Sequence, residues 1–230
     1  MAAVGSSARK LVAEALGTAF LLATVVGSGI MGQRLADGNT ALALLANSTA
    51  TAGSLLALIL AFGGISGAHF NPLVTFIEAF AGRIGRRTVL GFVLAQLLGA
   101  VVGVLLAHAM FEAPFVSTSL QLRTGPSQWL SEVIATFGLI AVIMACSQYH
   151  PRKTPFAVAG YIAAAYWFTA STSFANPAVT IARTLTATFA GIRPSDAPAF
   201  IAAQLTGASL AYVTMRWLLD DSTAESAQPK

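Results

Sequence analysis

Apolar residues fall in blocks about as long as a bilayer is thick, and polar positions gather between the blocks. Residues 11–31 hold one charge, 41–62 and 88–110 none, and 198–219 only Arg216. Two weaker blocks, 129–146 and 156–172, are bounded by polar or proline-containing segments. A helix of roughly 20 apolar residues spans a hydrocarbon core of about 30 Å, so the pattern predicts six membrane-crossing helices. Apolar residues surround these helices on every side, which in a soluble protein requires a core larger than 230 residues can build. The first block is longer than the apolar region of a signal peptide and belongs to the repeat below, so it reads as a retained span.

Composition agrees, with 56% of residues hydrophobic and 10% charged, far from the balance of a soluble domain. An even number of spans puts both termini on one side of the membrane. Arg9, Lys10, Arg83, Arg86, Arg87, Arg152, Lys153, Arg216 and Lys230 share one set of loops and ends, whereas Arg34, Arg123, Arg183 and Arg193 share the other. Basic residues concentrate on the cytoplasmic face, so both termini are expected there. The net charge of +4 then reflects topology and contact with anionic membrane lipid, and no free domain remains to bind nucleic acid. Cys146 is the single cysteine, which excludes an intrachain disulfide and a thiolate metal cluster.

The two halves repeat one another. In the first, Glu14 and Thr18 precede His69-Phe70-Asn71-Pro72-Leu73-Val74-Thr75 and then Ala95-Gln96-Leu97. In the second, Glu132 and Thr136 precede Phe174-Ala175-Asn176-Pro177-Ala178-Val179-Thr180 and then Ala203-Gln204-Leu205. The repeats run over about 9–110 and 129–219 of a single channel domain, 1–230. Each contains three spans, an odd number, so the second enters the membrane from the opposite face.

Between the second and third span of each half lies a segment too short to cross, 72–81 and 177–190. Asn is a preferred N-cap and Pro fits the first helical position, so each Asn-Pro starts a half-helix. Gly63, Gly64 and Gly67 permit the re-entrant backbone before the first. Inverted symmetry brings both N-termini together near the midplane. Each carries roughly half an elementary charge, so a cation about 5 Å away meets a repulsion of roughly 3 kcal/mol at an effective dielectric of 20. The Asn71 and Asn176 amides still offer hydrogen bonds to a neutral solute.

Paired Asn-Pro half-helices inside duplicated halves with matching Glu and Gln residues resemble the aquaporin, or major intrinsic protein, superfamily over residues 11–219. The resemblance implies an aquaporin-like bundle of six transmembrane helices plus two half-helices, a homotetramer with one pore per subunit, and passive passage of small neutral solutes and water. The motif triplets are Asn71, Pro72, Leu73 and Asn176, Pro177, Ala178; Leu73 departs from the usual Ala, so packing at that junction must adjust. The stretch 171–183 resembles a bacterial branch associated with arsenic-resistance operons. That implies arsenite-like metalloid acids or glycerol-like polyols as solutes and a bacterial inner membrane as location.

In water-selective members an Arg three residues after the second Asn lines the narrowest point; this chain has Val179 there. Counting from the motifs puts Thr51, Ala164 and Ser173 in the other three positions, a ring without Arg or aromatic. Replacing an aromatic removes roughly 150–250 Å² of side-chain surface, so a wide constriction is expected. Tyr161, Trp167 and Phe168 are the residues able to intrude from the fifth span. Arg183 lies one helical turn beyond Val179, either as a positive funnel at the outer vestibule or as a loop contact, the second being favoured.

Glu14 and Glu132 are intramembrane carboxylates, for which a proton relay is one reading. Their duplication favours another: each accepts hydrogen bonds from re-entrant backbone that lipid cannot satisfy. His69, two residues before Asn71, is expected to line the pore. Gln96 and Gln204, with Gly99, Gly103 and Gly207, read as helix contacts. No hydrolase, kinase or metalloenzyme motif appears, His69, His108 and His150 lack metal-ligand spacing, and no cofactor is implied. The alternatives are a water-selective aquaporin and, from a different class, a secondary transporter. A transporter also uses broken helices but normally carries titratable coupling groups at the midplane.

Overall fold

The computed structural model describes residues 2–220, and side chains from residue 7 onward, so Lys230 lies outside the described residues. Among the described residues eight α-helices follow in chain order: α1 (Ala2–Leu35), α2 (Thr40–Ser66), α3 (Pro72–Phe80), α4 (Arg86–Met110), α5 (Pro126–Tyr149), α6 (Thr154–Phe168), α7 (Pro177–Ala182) and α8 (Ala197–Leu218). Six are long and two, α3 and α7, are the half-helices. In the first half α1 packs against α4 and α2, and in the second α5 packs against α8 and α6. Helices α1, α2, α4 and α5 are long and apolar enough to cross a membrane. Helix α8 has 22 residues and α6 only 15.

Large apolar side chains face outward as well as inward. On α4, Leu90, Leu94, Leu98, Val102 and Leu106 point outward at four-residue spacing, Leu98 being 68% exposed, whereas Gln96 and His108 on the inward side are 0% exposed. With lipid as the surrounding solvent, the interior holds apolar clusters such as Leu22, Val26, Phe70 and Val104 and also gathers the polar groups and small residues that a lipid-facing surface excludes. Gly99 and Gly103 on α4 lie against the Ala15 and Ala19 carbonyls of α1, and Gly207 on α8 against the Val133 carbonyl of α5. A Cβ at any of these glycines would occupy the neighbouring backbone, so the glycines set how closely the helices cross. Asn47 of α2 donates to the Val25 carbonyl at 2.8 Å and to the Ser28 hydroxyl at 2.9 Å, joining α2 to α1.

Two elements are shorter than the pattern predicts. Helix α6 stops at Phe168 because Thr169 turns extended, its hydroxyl donating to the Ala165 carbonyl at 2.6 Å. Helix α7 stops at Ala182 rather than continuing toward residue 190, and a single 3-10 turn, Arg183–Leu185, follows. Threonine hydroxyls compete there with helical bonding: Thr184 donates to the Ile181 carbonyl at 2.7 Å, and Thr186 pairs with Nε2 of His108 at 2.8 Å. The backbone after α7 is stitched instead to the loop between α4 and α5. Ser117 and Ser119 amides donate to the Leu185 and Thr184 carbonyls, and the Arg193 amide donates to the Gln121 carbonyl.

Candidate pore and its constriction

Each re-entrant segment reaches its half-helix through residues with left-handed backbone. Ala68 and Phe70 have φ of 52° and 48° in the first; Thr172, Ser173 and Ala175 have 61°, 50° and 47° in the second. Such conformations cost about 1–3 kcal/mol each in a non-glycine residue and persist only where the surroundings fix them. The buried carboxylates do so. Glu14 accepts from the Ser66 hydroxyl at 2.6 Å, the His69 amide at 3.0 Å, the Phe70 amide at 2.8 Å and Gln96 at 2.8 Å. Glu132 accepts from the Phe174 and Ala175 amides, both at 2.9 Å, and from Gln204 at 2.6 Å. Gln96 also reaches Thr75, and Gln204 reaches Thr180, so each carboxylate is linked to the half-helix it orients.

The two half-helices meet end to end. Asn71 caps α3, its Oδ1 accepting from the Leu73 amide at 2.9 Å, and its Nδ2 donates across to the Ala175 carbonyl at 2.8 Å. Asn176 mirrors it, capping the Ala178 and Val179 amides and donating to the Phe70 carbonyl at 2.8 Å. An amide nitrogen carries two hydrogens, so each Asn keeps one N–H for a solute. Pro72 and Pro177 take the first helical positions, where a missing N–H costs nothing. Leu73 is buried with Val74, Ile77, Ile140, Ala208 and Ala211, so its extra bulk fills space between α3, α5 and α8.

A cavity of about 580 Å³ runs past both asparagines. At one end it is bounded by Glu78, Arg83, Gln148 and Leu219, and at the other by Thr51, Tyr166, Val179 and Arg183. Thr51, Ser173 and Val179 line it as counted from the motifs. Ala164 does not: it is exposed on the outer face of α6, and the lumen side is taken by Val158, Ile162 and Tyr166 at four-residue spacing. Ala164 and Tyr166 are two residues apart, about 200° around a helix of 3.6 residues per turn, so a two-residue offset exchanges the lumen face for the lipid face. The aromatic that α6 presents to the cavity is therefore Tyr166, and Tyr161, Trp167 and Phe168 do not line it. Tyr166 donates to the Thr51 hydroxyl at 3.3 Å. The Ser173 hydroxyl is buried and has no hydrogen-bond partner among the described residues.

Arg183 also differs from a surface cation, being 2% exposed. Its guanidinium lies 3.4 Å from the Phe174 ring centroid, and Nε donates to the Ala190 carbonyl. Arg123, which no sequence motif marked, sits 5.0 Å from the same ring. Its side chain donates to the Gly191 carbonyl at 2.8 Å and the Ser171 carbonyl at 3.1 Å, tying the loop between α4 and α5 to the segments before and after α7. Burial pushes the Arg123 pKa down to about 10, against the opposing charge of Glu132, so it remains a cation at neutral pH. Asp196 accepts from the Arg123 amide at 3.0 Å and from Arg193 at 2.7 Å. Burial raises its pKa, but these bonds and the Arg193 charge outweigh burial and leave it below the ordinary carboxylate value.

At the other mouth His69 pairs through Nδ1 with Thr75 at 3.0 Å, packs edge-on against Phe92 and lines the cavity. Nearby, Glu78 and Arg83 form a bidentate ion pair at 2.5 and 2.6 Å, whose hydrogen bonding raises the Arg83 pKa.

Known proteins bear on this arrangement. Residues 2–155 match the model of the major intrinsic protein family. The chain is 54% identical over 211 residues to aquaglyceroporin AqpS of Rhizobium meliloti, covering 92% of this chain and 90% of that protein. It is 34% identical over 161 residues to aquaporin TIP1-2 of Zea mays, covering 68% and 63%. The X-ray structure of the aquaglyceroporin from Plasmodium falciparum superposes with a TM-score of 0.69 at 20% identity, covering 94% of this chain and 97% of that one, which shows the fold. With family, fold and paired half-helices in agreement, the chain belongs to the major intrinsic protein family, as an integral membrane channel and not an enzyme.

Proposed function

We propose that this channel conducts glycerol-like polyols, small neutral metalloid acids such as arsenous acid, and water. The observation that carries the reading is the composition of the constriction. Val179 and the face of Tyr166 supply an apolar wall, while Thr51 and the unpaired Ser173 hydroxyl supply polar groups. A polyol has the same division, with C–H on one side and O–H on the other. Beyond the ring, the free amide hydrogens of Asn71 and Asn176 take over the solute's hydroxyls, and the paired half-helix N-termini oppose cations. The identity to a protein described as an aquaglyceroporin supports the same solute class. The channel is a homotetramer in a bacterial inner membrane, with both termini cytoplasmic by the distribution of basic residues. Glu14 and Glu132 serve as anchors of the re-entrant loops rather than as a proton relay, and His69 lines the cytoplasmic half of the pore.

The test is uptake of glycerol, arsenous acid and water into proteoliposomes holding wild type, Val179→Arg or Tyr166→Ala. Wild type is expected to pass all three. Val179→Arg should block the two larger solutes and spare water, and Tyr166→Ala should speed the larger ones. Wild type passing water alone would mean that Tyr166 closes the ring, making the protein a water channel. Saturable, ion-dependent uptake would indicate a transporter.

A further inference from the structure

We propose that Arg183 is a binding station for small oxyanions at the outer end of the pore. The proposal rests on the channel reading but concerns a different class of ligand. Arg183 lines the cavity one turn beyond Val179 and is 2% exposed. Nε is fixed on the Ala190 carbonyl and the guanidinium face is stacked on Phe174. Its two terminal nitrogens make no hydrogen bond among the described residues, and no carboxylate pairs with it: the ion pairs described there are Arg83–Glu78 and Arg193–Asp196. A guanidinium offers five N–H donors in a planar fork, and a buried cation without a counterion is unfavourable. Two parallel N–H groups facing a lumen match a carboxylate, phosphonate or sulfonate edge.

Arg123 strengthens the station without competing for its ligand. Its guanidinium adds a second positive charge beside the same Phe174 ring, yet its nitrogens are occupied by backbone carbonyls. The backbone and stacking contacts hold Arg183 as a preformed fork, which lowers the ordering cost of binding. A neutral solute needs only pass such a group, whereas an oxyanion rests on it and obstructs the mouth.

Glycerol influx is measured in proteoliposomes with methanesulfonate, a permanent tetrahedral anion, or methanesulfonamide, its neutral counterpart, at equal concentration on both sides. Methanesulfonate should slow wild type about twofold at half-occupancy, as mass action sets, and methanesulfonamide should not. Arg183→Gln should lose the slowing, read as the ratio of its own glycerol influx with and without methanesulfonate, whatever its basal rate. Where that variant does not assemble, Arg183→Lys, which keeps the charge and loses the fork, should require more methanesulfonate for the same slowing. Unslowed wild type, equal slowing by the sulfonamide, or unchanged slowing in either variant overturns the proposal. Wild-type glycerol influx without additive tests the channel reading separately.

Discussion

Replacing Glu132 measures how firmly a buried carboxylate holds the second re-entrant loop. Its Oε1 accepts from the Phe174 amide, and its Oε2 from the Ala175 amide and Gln204. Glu132→Gln is nearly isosteric, but its amide has one oxygen. With that oxygen toward Ala175 and Gln204, the new NH2 faces the Phe174 N–H and one buried donor loses its acceptor. An orphaned buried donor costs about 1–3 kcal/mol, which for a chain of this size lowers the unfolding midpoint by roughly 2–12 °C. Glu132→Ala orphans all three donors and should cost about 3–9 kcal/mol, a large part of a typical stability of about 5–15 kcal/mol. It also frees the left-handed residues at 172, 173 and 175 to relax. The assay is thermal unfolding in detergent, followed by glycerol influx for whichever variants assemble. Midpoints within about 1 °C of wild type for both variants would refute the anchoring argument, since even one orphaned donor exceeds that. Unchanged stability with a lost pH dependence of flux would make the carboxylate a proton relay.

Two further predictions concern packing and pH. Gly103→Val places a side chain against the Ala19 carbonyl and Leu22; overpacking costs typically about 1–3 kcal/mol, and more is expected where the obstacle is backbone, so the folded yield on size exclusion should fall sharply. Asp196 has a folded pKa below its ordinary 3.8, so its contribution to stability is present above pH 3.8 and is lost as pH falls through the folded value. Thermal unfolding between pH 6 and pH 3 should show this loss in wild type and not in Asp196→Asn; a flat profile in wild type contradicts it.

The fold was legible because its signals are local or duplicated. Apolar blocks, Asn-Pro starts and the two Glu residues each follow from rules that act within a few positions, and the inversion follows from counting spans. The lining of the cavity was legible only in part. Thr51, Ser173 and Val179 lie near the motifs or on a helix whose phase the count preserved, but Ala164 lies on a helix beginning after a turn, where two residues exchange one face for the other. The Val158, Ile162, Tyr166 spacing in the sequence carried the correct phase. Arg123 gave no local signal at all, because its partners Ser171 and Gly191 are 48 and 68 residues away. The early end of α7 likewise depends on His108 and the loop residues 117–121, which no window around residue 183 contains.

The crossed amide bonds at the centre also constrain how the chain is made. Asn71 donates to a carbonyl 104 residues later, and Asn176 to one 106 residues earlier. While the first half is emerging from the ribosome, its re-entrant loop has no partner for that amide, and lipid offers none. That bond cannot form until residue 175 has been made, so the first re-entrant loop gains its final hydrogen bonding only with the second. The centre of the pore is a late product of biosynthesis that neither half completes alone.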